Sequence, residues 1–150
     1  MPTRRASLIA ALLIPSMAAA APADDARAAL DLWAQAFNAG DLDRIVAVYA
    51  PTATVHGTTA PGLAAGTDAL RAYFMSAFRG GTQVALGDEA VSATTLSPDH
   101  IVLAGFYTFT GKRPDGQAFA APARYTFVVA RSGGGWLIHH HHSSPRPRPQ

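Results

Sequence analysis

The apolar positions change period near residue 82. Upstream of it they recur every three or four residues. Leu30, Trp33 and Phe37 fall at i, i+3 and i+7, one stripe of a helix that Asp24 or Asp25 caps and that runs to about Ala39. Gly40 suits the left-handed position that ends it. Asp41 caps a short second helix with Leu42, Ile45, Val46 and Tyr49 on one side, and Pro51 is expected to close it. Ala53-Thr54-Val55-His56 reads as a short strand, and Gly57 to Gly66 as a loop rich in Thr, Pro and Gly. A third helix starts at Thr67 or Asp68, turns Leu70, Tyr73, Phe74 and Phe78 inward, and stops at Arg79-Gly80-Gly81.

From Thr82 on the period is two. Strands are predicted over residues 82–95, 100–111, 117–131 and 135–144, with turns at Ser97-Pro98-Asp99 and Arg113-Pro114-Asp115-Gly116. Arg124, Thr126 and Val128 share one face of the third of these strands, and Tyr125, Phe127 and Val129 the other. Ser132-Gly133-Gly134-Gly135 makes a hairpin turn into a final strand that begins Trp136-Leu137-Ile138 and carries four histidines. The strand from Ile101 to Phe109 is apolar on both faces, so both are expected to be covered. Three helices followed by an antiparallel sheet is an α+β architecture.

Residues 1–20 read differently. Arg4 and Arg5 precede an apolar stretch, Ala6 to Ile14, and small residues around Ala18 to Ala20 suit cleavage. This is the pattern of a bacterial export signal, and it predicts a periplasmic or secreted protein with no membrane partner after cleavage. The apolar stretch is shorter than the ~20 residues that span a bilayer. The domain is then expected over 21–144, with residues 145–150, rich in Pro and Arg, a disordered tail.

Charge alters the picture only by exclusion. The chain has 12 Lys+Arg against 10 Asp+Glu. Without Arg4 and Arg5 that is 10 against 10, and without Arg146 and Arg148 it is 8 against 10. No basic patch is left to follow phosphates, so nucleic acid is not an expected partner. The chain has no cysteine, which removes disulfides, thiolate metal sites and cysteine nucleophiles.

Asn38-Ala39-Gly40-Asp41-Leu42-Asp43, followed by Ile45-Val46-Ala47, Tyr49-Ala50 and Ala53-Thr54-Val55, resembles the front of ketosteroid isomerases. It also resembles the wider nuclear-transport-factor-2-like superfamily, polyketide-cyclase-like proteins included. Arg124 through Trp136 to His140-His141-His142-Ser143-Ser144 resembles the association domain of calcium/calmodulin-dependent protein kinase II and its bacterial stand-alone relatives. The resemblance implies a cone: a curved antiparallel sheet wrapped around N-terminal helices, the cystatin-like roll, with a cavity and usually a dimer. The isomerases' three catalytic positions align here with Trp33, Gly57 and Arg124. Glycine cannot abstract a proton, and an indole N–H is a poorer oxyanion donor than a phenol. Steroid isomerisation is therefore not expected. No glycine-rich ATP loop or kinase catalytic loop is present either.

The correspondence turns Arg124 inward, where its fork suits a carboxylate; an internal salt bridge to Asp31, Asp68, Asp88 or Glu89 is the competing reading. Trp33 and Tyr73 are expected to line the pocket. His139 and His141 share a strand face, the inward one by the same correspondence, unless a bulge reverses it. An H-x-H pair is a partial zinc site, but no third ligand is evident along the chain, so no metal and no cofactor is expected. His56 is placed on the opposite face or at the rim. The function expected first is an exported, oligomeric small-molecule-binding domain that holds an anionic, partly apolar carboxylate ligand. The alternatives are an isomerase, cyclase or dehydratase with a histidine base, and an oligomerisation module. Self-association is expected through Tyr125, Phe127 and Val129, with Trp136 and Ile138 nearby, a patch too apolar to leave wet.

Overall fold

The computed structural model describes residues 22–87, 89 and 91–147. The predicted signal, residues 1–20, and positions 148–150 of the predicted tail lie outside the described residues. The elements run α1 (Pro22–Asn38), α2 (Leu42–Ala47), β1 (Tyr49–His56), β2 (Leu63–Ala65), α3 (Gly66–Ala77), β3 (Gln83–Leu86), β4 (Ser92–Ser97), β5 (His100–Lys112), β6 (Ala118–Ser132) and β7 (Gly135–Pro145). The strands form one curved sheet in the order β2-β1-β7-β6-β5-β3, with β4 also pairing with β5. All pairs are antiparallel except β1 with β7. This is the expected α+β roll of three helices against a sheet.

The α1 stripe packs on the inner face of the sheet. Ala26, Leu30, Trp33 and Phe37 are buried there with Phe127 and Val129 of β6 and Leu103 and Tyr107 of β5. The Trp33 ring lies 5.3 Å from Phe127 and 5.5 Å from Phe37. Each such side chain contributes roughly 1.5–3 kcal/mol by leaving water. The fold is thus held by the face of β6 that the sequence analysis assigned to a dimer contact. Tyr125, Phe127 and Val129 are buried within the protomer, so they leave no patch for a second copy.

Several boundaries differ from expectation. The second helix ends at Ala47, and Tyr49 opens β1. Pro51 sits inside that strand, in the stretch between Tyr49 and Thr54 where the ladder to β7 shifts register, so its missing N–H breaks no pairing. The loop after β1 includes β2, which pairs with Thr54–His56. The single strand expected over 82–95 is two, β3 and β4, each on a different part of β5. Gly87 ends the first, its N–H on the Phe106 carbonyl at 2.8 Å. The β6–β7 turn needs its glycines: Gly133 and Gly134 have φ of 56° and 89°, the left-handed pair of a two-residue hairpin. The tail does not begin at Pro145, which belongs to β7. Arg146 is anchored, its N–H to the Pro122 carbonyl, its guanidinium on Glu89 at 3.0 Å and 4.0 Å over the Phe106 ring.

Candidate functional site

The polar centre of the interior is His141. The β6–β7 ladder pairs Val128 with His140 but Val129 with Ile138, so His139 is an extra residue in β7. That bulge separates the two histidines expected to share a face. His139 is exposed, whereas His141 is buried. The His141 ring stacks on Phe127 at 4.0 Å and meets Trp33 edge-on at 5.3 Å. Its Nδ1 lies 3.0 Å from the Tyr49 hydroxyl and its Nε2 3.1 Å from the Tyr107 hydroxyl.

Burial, and then the nearby His140 and His142, push the His141 pKa down to about 3, so the ring is neutral at physiological pH. A neutral imidazole has one N–H and one bare nitrogen. One tyrosine therefore donates to it and the other accepts from it. Burial, with the Tyr73 and Tyr107 hydroxyls nearby, raises Tyr49 well above the usual phenol value, and the Trp33 N–H acts the other way. That N–H has no hydrogen-bond partner of good geometry among the described residues. Burial likewise raises Tyr107, against hydrogen bonding from Ser143 and Thr58. Those two hydroxyls bond to each other.

Thr58 carries this network to a cleft of about 500 Å³. Its walls are Phe37, Tyr73, Phe109 and Phe119, and its polar groups include Thr58, Thr59 and Arg79. Tyr73 is raised by burial. Its ring crosses Gly57 so closely that a Cβ there would strike it. Beside the glycine at the position where the isomerases carry their base, the phenol thus fills the space a side chain would take. Arg79 pairs with no carboxylate among the described residues. Among the described residues no Asp, Glu or His lines the cleft. The site can therefore grip an apolar body and an anionic or hydrogen-bonding end, but it presents no ready base.

Of the expected pocket residues, Tyr73 lines the cleft. Trp33 is 1% exposed and packed in the core behind it. Arg124 faces out, because the alternation of β6 buries Ala123 and Tyr125 on either side of it. Its Nε donates to Ser144 Oγ at 2.9 Å, so it is neither in the cleft nor in the internal salt bridge weighed against that. His56 is exposed, opposite to buried Val55, on the outer face of the sheet. Two site residues were not legible along the chain: Arg79, which reads as part of a helix stop, and Tyr107, hidden in a strand apolar on both faces. The inward alternation Ile101, Leu103, Tyr107 was the available signal for the latter.

The sequence profile of the SnoaL-like domain family matches residues 26–148. No curated protein matches the chain significantly. Among solved structures, it is similar to a Xanthomonas campestris protein described as a candidate calcium/calmodulin-dependent protein kinase II association domain. The two are 28% identical, with a TM-score of 0.76 over 92% of this chain and 95% of that one. A ketosteroid isomerase-like protein from Erwinia carotovora atroseptica is 22% identical, with a TM-score of 0.72 over 84% and 97%. A candidate dehydratase of the NTF2-like family from Streptomyces avermitilis is 16% identical, with a TM-score of 0.73 over 85% and 97%.

Proposed function

Because the chain belongs to the SnoaL-like domain family of the nuclear-transport-factor-2-like superfamily, we propose that it binds a small, partly apolar carboxylate in the cleft beside Tyr73. The observation that carries this reading is the lining: aromatic walls, hydroxyls, and an arginine with no carboxylate partner among the described residues. Apolar walls with a few placed polar groups are the usual make-up of a ligand site. Arg79 takes the role first expected of Arg124.

A histidine-base enzyme is less well supported. Both His141 nitrogens are taken by tyrosines, and the other described histidines lie away from the cleft lining. The reading includes export by residues 1–20, on Arg4, Arg5 and the apolar stretch after them. It also includes self-association, supported by the description of the Xanthomonas protein but not by Tyr125, Phe127 or Val129.

The test is a thermal-shift titration with a panel of aryl and alkyl carboxylates. At least one should stabilise the wild type. Arg79→Ala should weaken that ligand by about ten- to a hundredfold, the ~1.5–3 kcal/mol of a charged hydrogen bond. Arg124→Ala should bind like the wild type. If no carboxylate stabilises the wild type, or if Arg124→Ala is the damaging change, the cleft is not the site.

A further inference from the structure

We propose that His56, His140 and His142 form a binding site for a zinc-like divalent metal ion on the outer face of the sheet. The third ligand that the chain does not reveal locally is supplied by the parallel pairing of β1 with β7, which sets Thr54 beside His140, Val55 beside His141 and His56 beside His142. The same alternation that buries Val55 and His141 sends His56, His140 and His142 outward together. The His56 ring lies 6.2 Å from His140 and 5.9 Å from His142, centre to centre.

As the side chains stand, no three ligating atoms among the described residues converge. His56 and His142 are exposed, so rotation between staggered rotamers is open to them. The site requires such turning, which must bring imidazole nitrogens to a shared ion at the ~2.0–2.1 Å of a zinc–nitrogen bond.

His140 is already oriented. Its Nδ1 is 2.8 Å from Thr54 Oγ1. In the tautomer with the proton on Nδ1, that nitrogen donates to Thr54 and Nε2 keeps its lone pair for a metal. A second partner fixing the far nitrogen is the usual arrangement for a ligating histidine. Three imidazoles with no carboxylate or thiolate among them suit Zn²⁺, Ni²⁺ or Cu²⁺ and not Mg²⁺ or Ca²⁺. Arg124, on the same face of β6, turns its guanidinium to Ser144.

The experiment must separate this folded site from chelation by the run of four histidines. Tag-free protein is titrated with zinc chloride by calorimetry, beside His56→Ala, His142→Ala and His139→Ala. One zinc per chain should bind the wild type. His56→Ala and His142→Ala should each weaken it at least about tenfold, with circular dichroism unchanged because both residues are exposed. His139→Ala should stay within about twofold. Wild-type affinity in His56→Ala would mean that the linear run alone holds the metal. A loss in His139→Ala equal to that in His142→Ala, or no zinc bound by the wild type, would overturn the proposal as well.

Discussion

The two faces of β7 treat the same residue type in opposite ways. His141 stacks on Phe127, stands between two tyrosine hydroxyls and is denied its charge. His140 and His142, one residue to either side, look outward toward His56. Inside, the imidazole acts as an aromatic slab that also satisfies buried phenols. Outside, its value lies in lone pairs that solvent can exchange for a ligand. The lesson is that a run of identical residues on a strand is two sets of groups, interleaved, with different physics.

The inner face is the more vulnerable of the two. His141→Ala removes the ring packed on Phe127 and leaves the Tyr49 and Tyr107 hydroxyls without their shared partner. A cavity plus unsatisfied buried groups should cost about 3–5 kcal/mol in chemical denaturation. A loss below ~1 kcal/mol would show that the centre is not the tight polar core described.

A smaller effect comes from pH. The folded His141 pKa is about 3, below the ~6.5 of an unfolded histidine. Between those values the unfolded chain binds a proton that the folded chain refuses, so stability rises with pH in that window. The contribution is complete above about pH 6.5 and falls by roughly 3 kcal/mol on going to pH 4. Carboxylates titrate in the same range, so the measured quantity is the difference in pH slope between wild type and His141→Gln. Equal slopes would mean that His141 takes up a proton in the folded state.

The smallest effect sharpens the outer side. Without metal, His139→Ala and His142→Ala should each change stability by no more than about 0.5 kcal/mol in urea melts. A loss above ~2 kcal/mol at either would place that ring in the core and dissolve the contrast between the faces.

Much of the fold was legible along the chain because it rests on local periodicity. The 3.6-residue stripe Leu30-Trp33-Phe37 and the two-residue alternation of β6 are fixed by what a helix or strand must bury, and both reappear in the core. The glycines at 133 and 134 likewise announced their hairpin. The expectations that failed share a cause. Arg124, His139 and the dimer patch each depended on which face of a strand points inward, and alternation alone gives two faces without naming them. A single bulge at His139 moves every later side chain to the other side. The packing of Trp33 of α1 against Phe127 is what made that face the inner one.

Distance along the chain hid the rest. His56 and His142 are neighbours only because β1 and β7 pair in parallel, and Arg79 lines the cleft together with Phe109 and Phe119, residues of distant strands. The class of fold, the turns and the residues that must leave water can be read along the chain, since those follow from interactions within a few positions. Which histidine is buried, which arginine lines the cleft and what fills the space beside Gly57 follow only from the assembled fold. Those outcomes depend on strand register and on the one ring, Tyr73, that occupies the space a side chain at 57 would need.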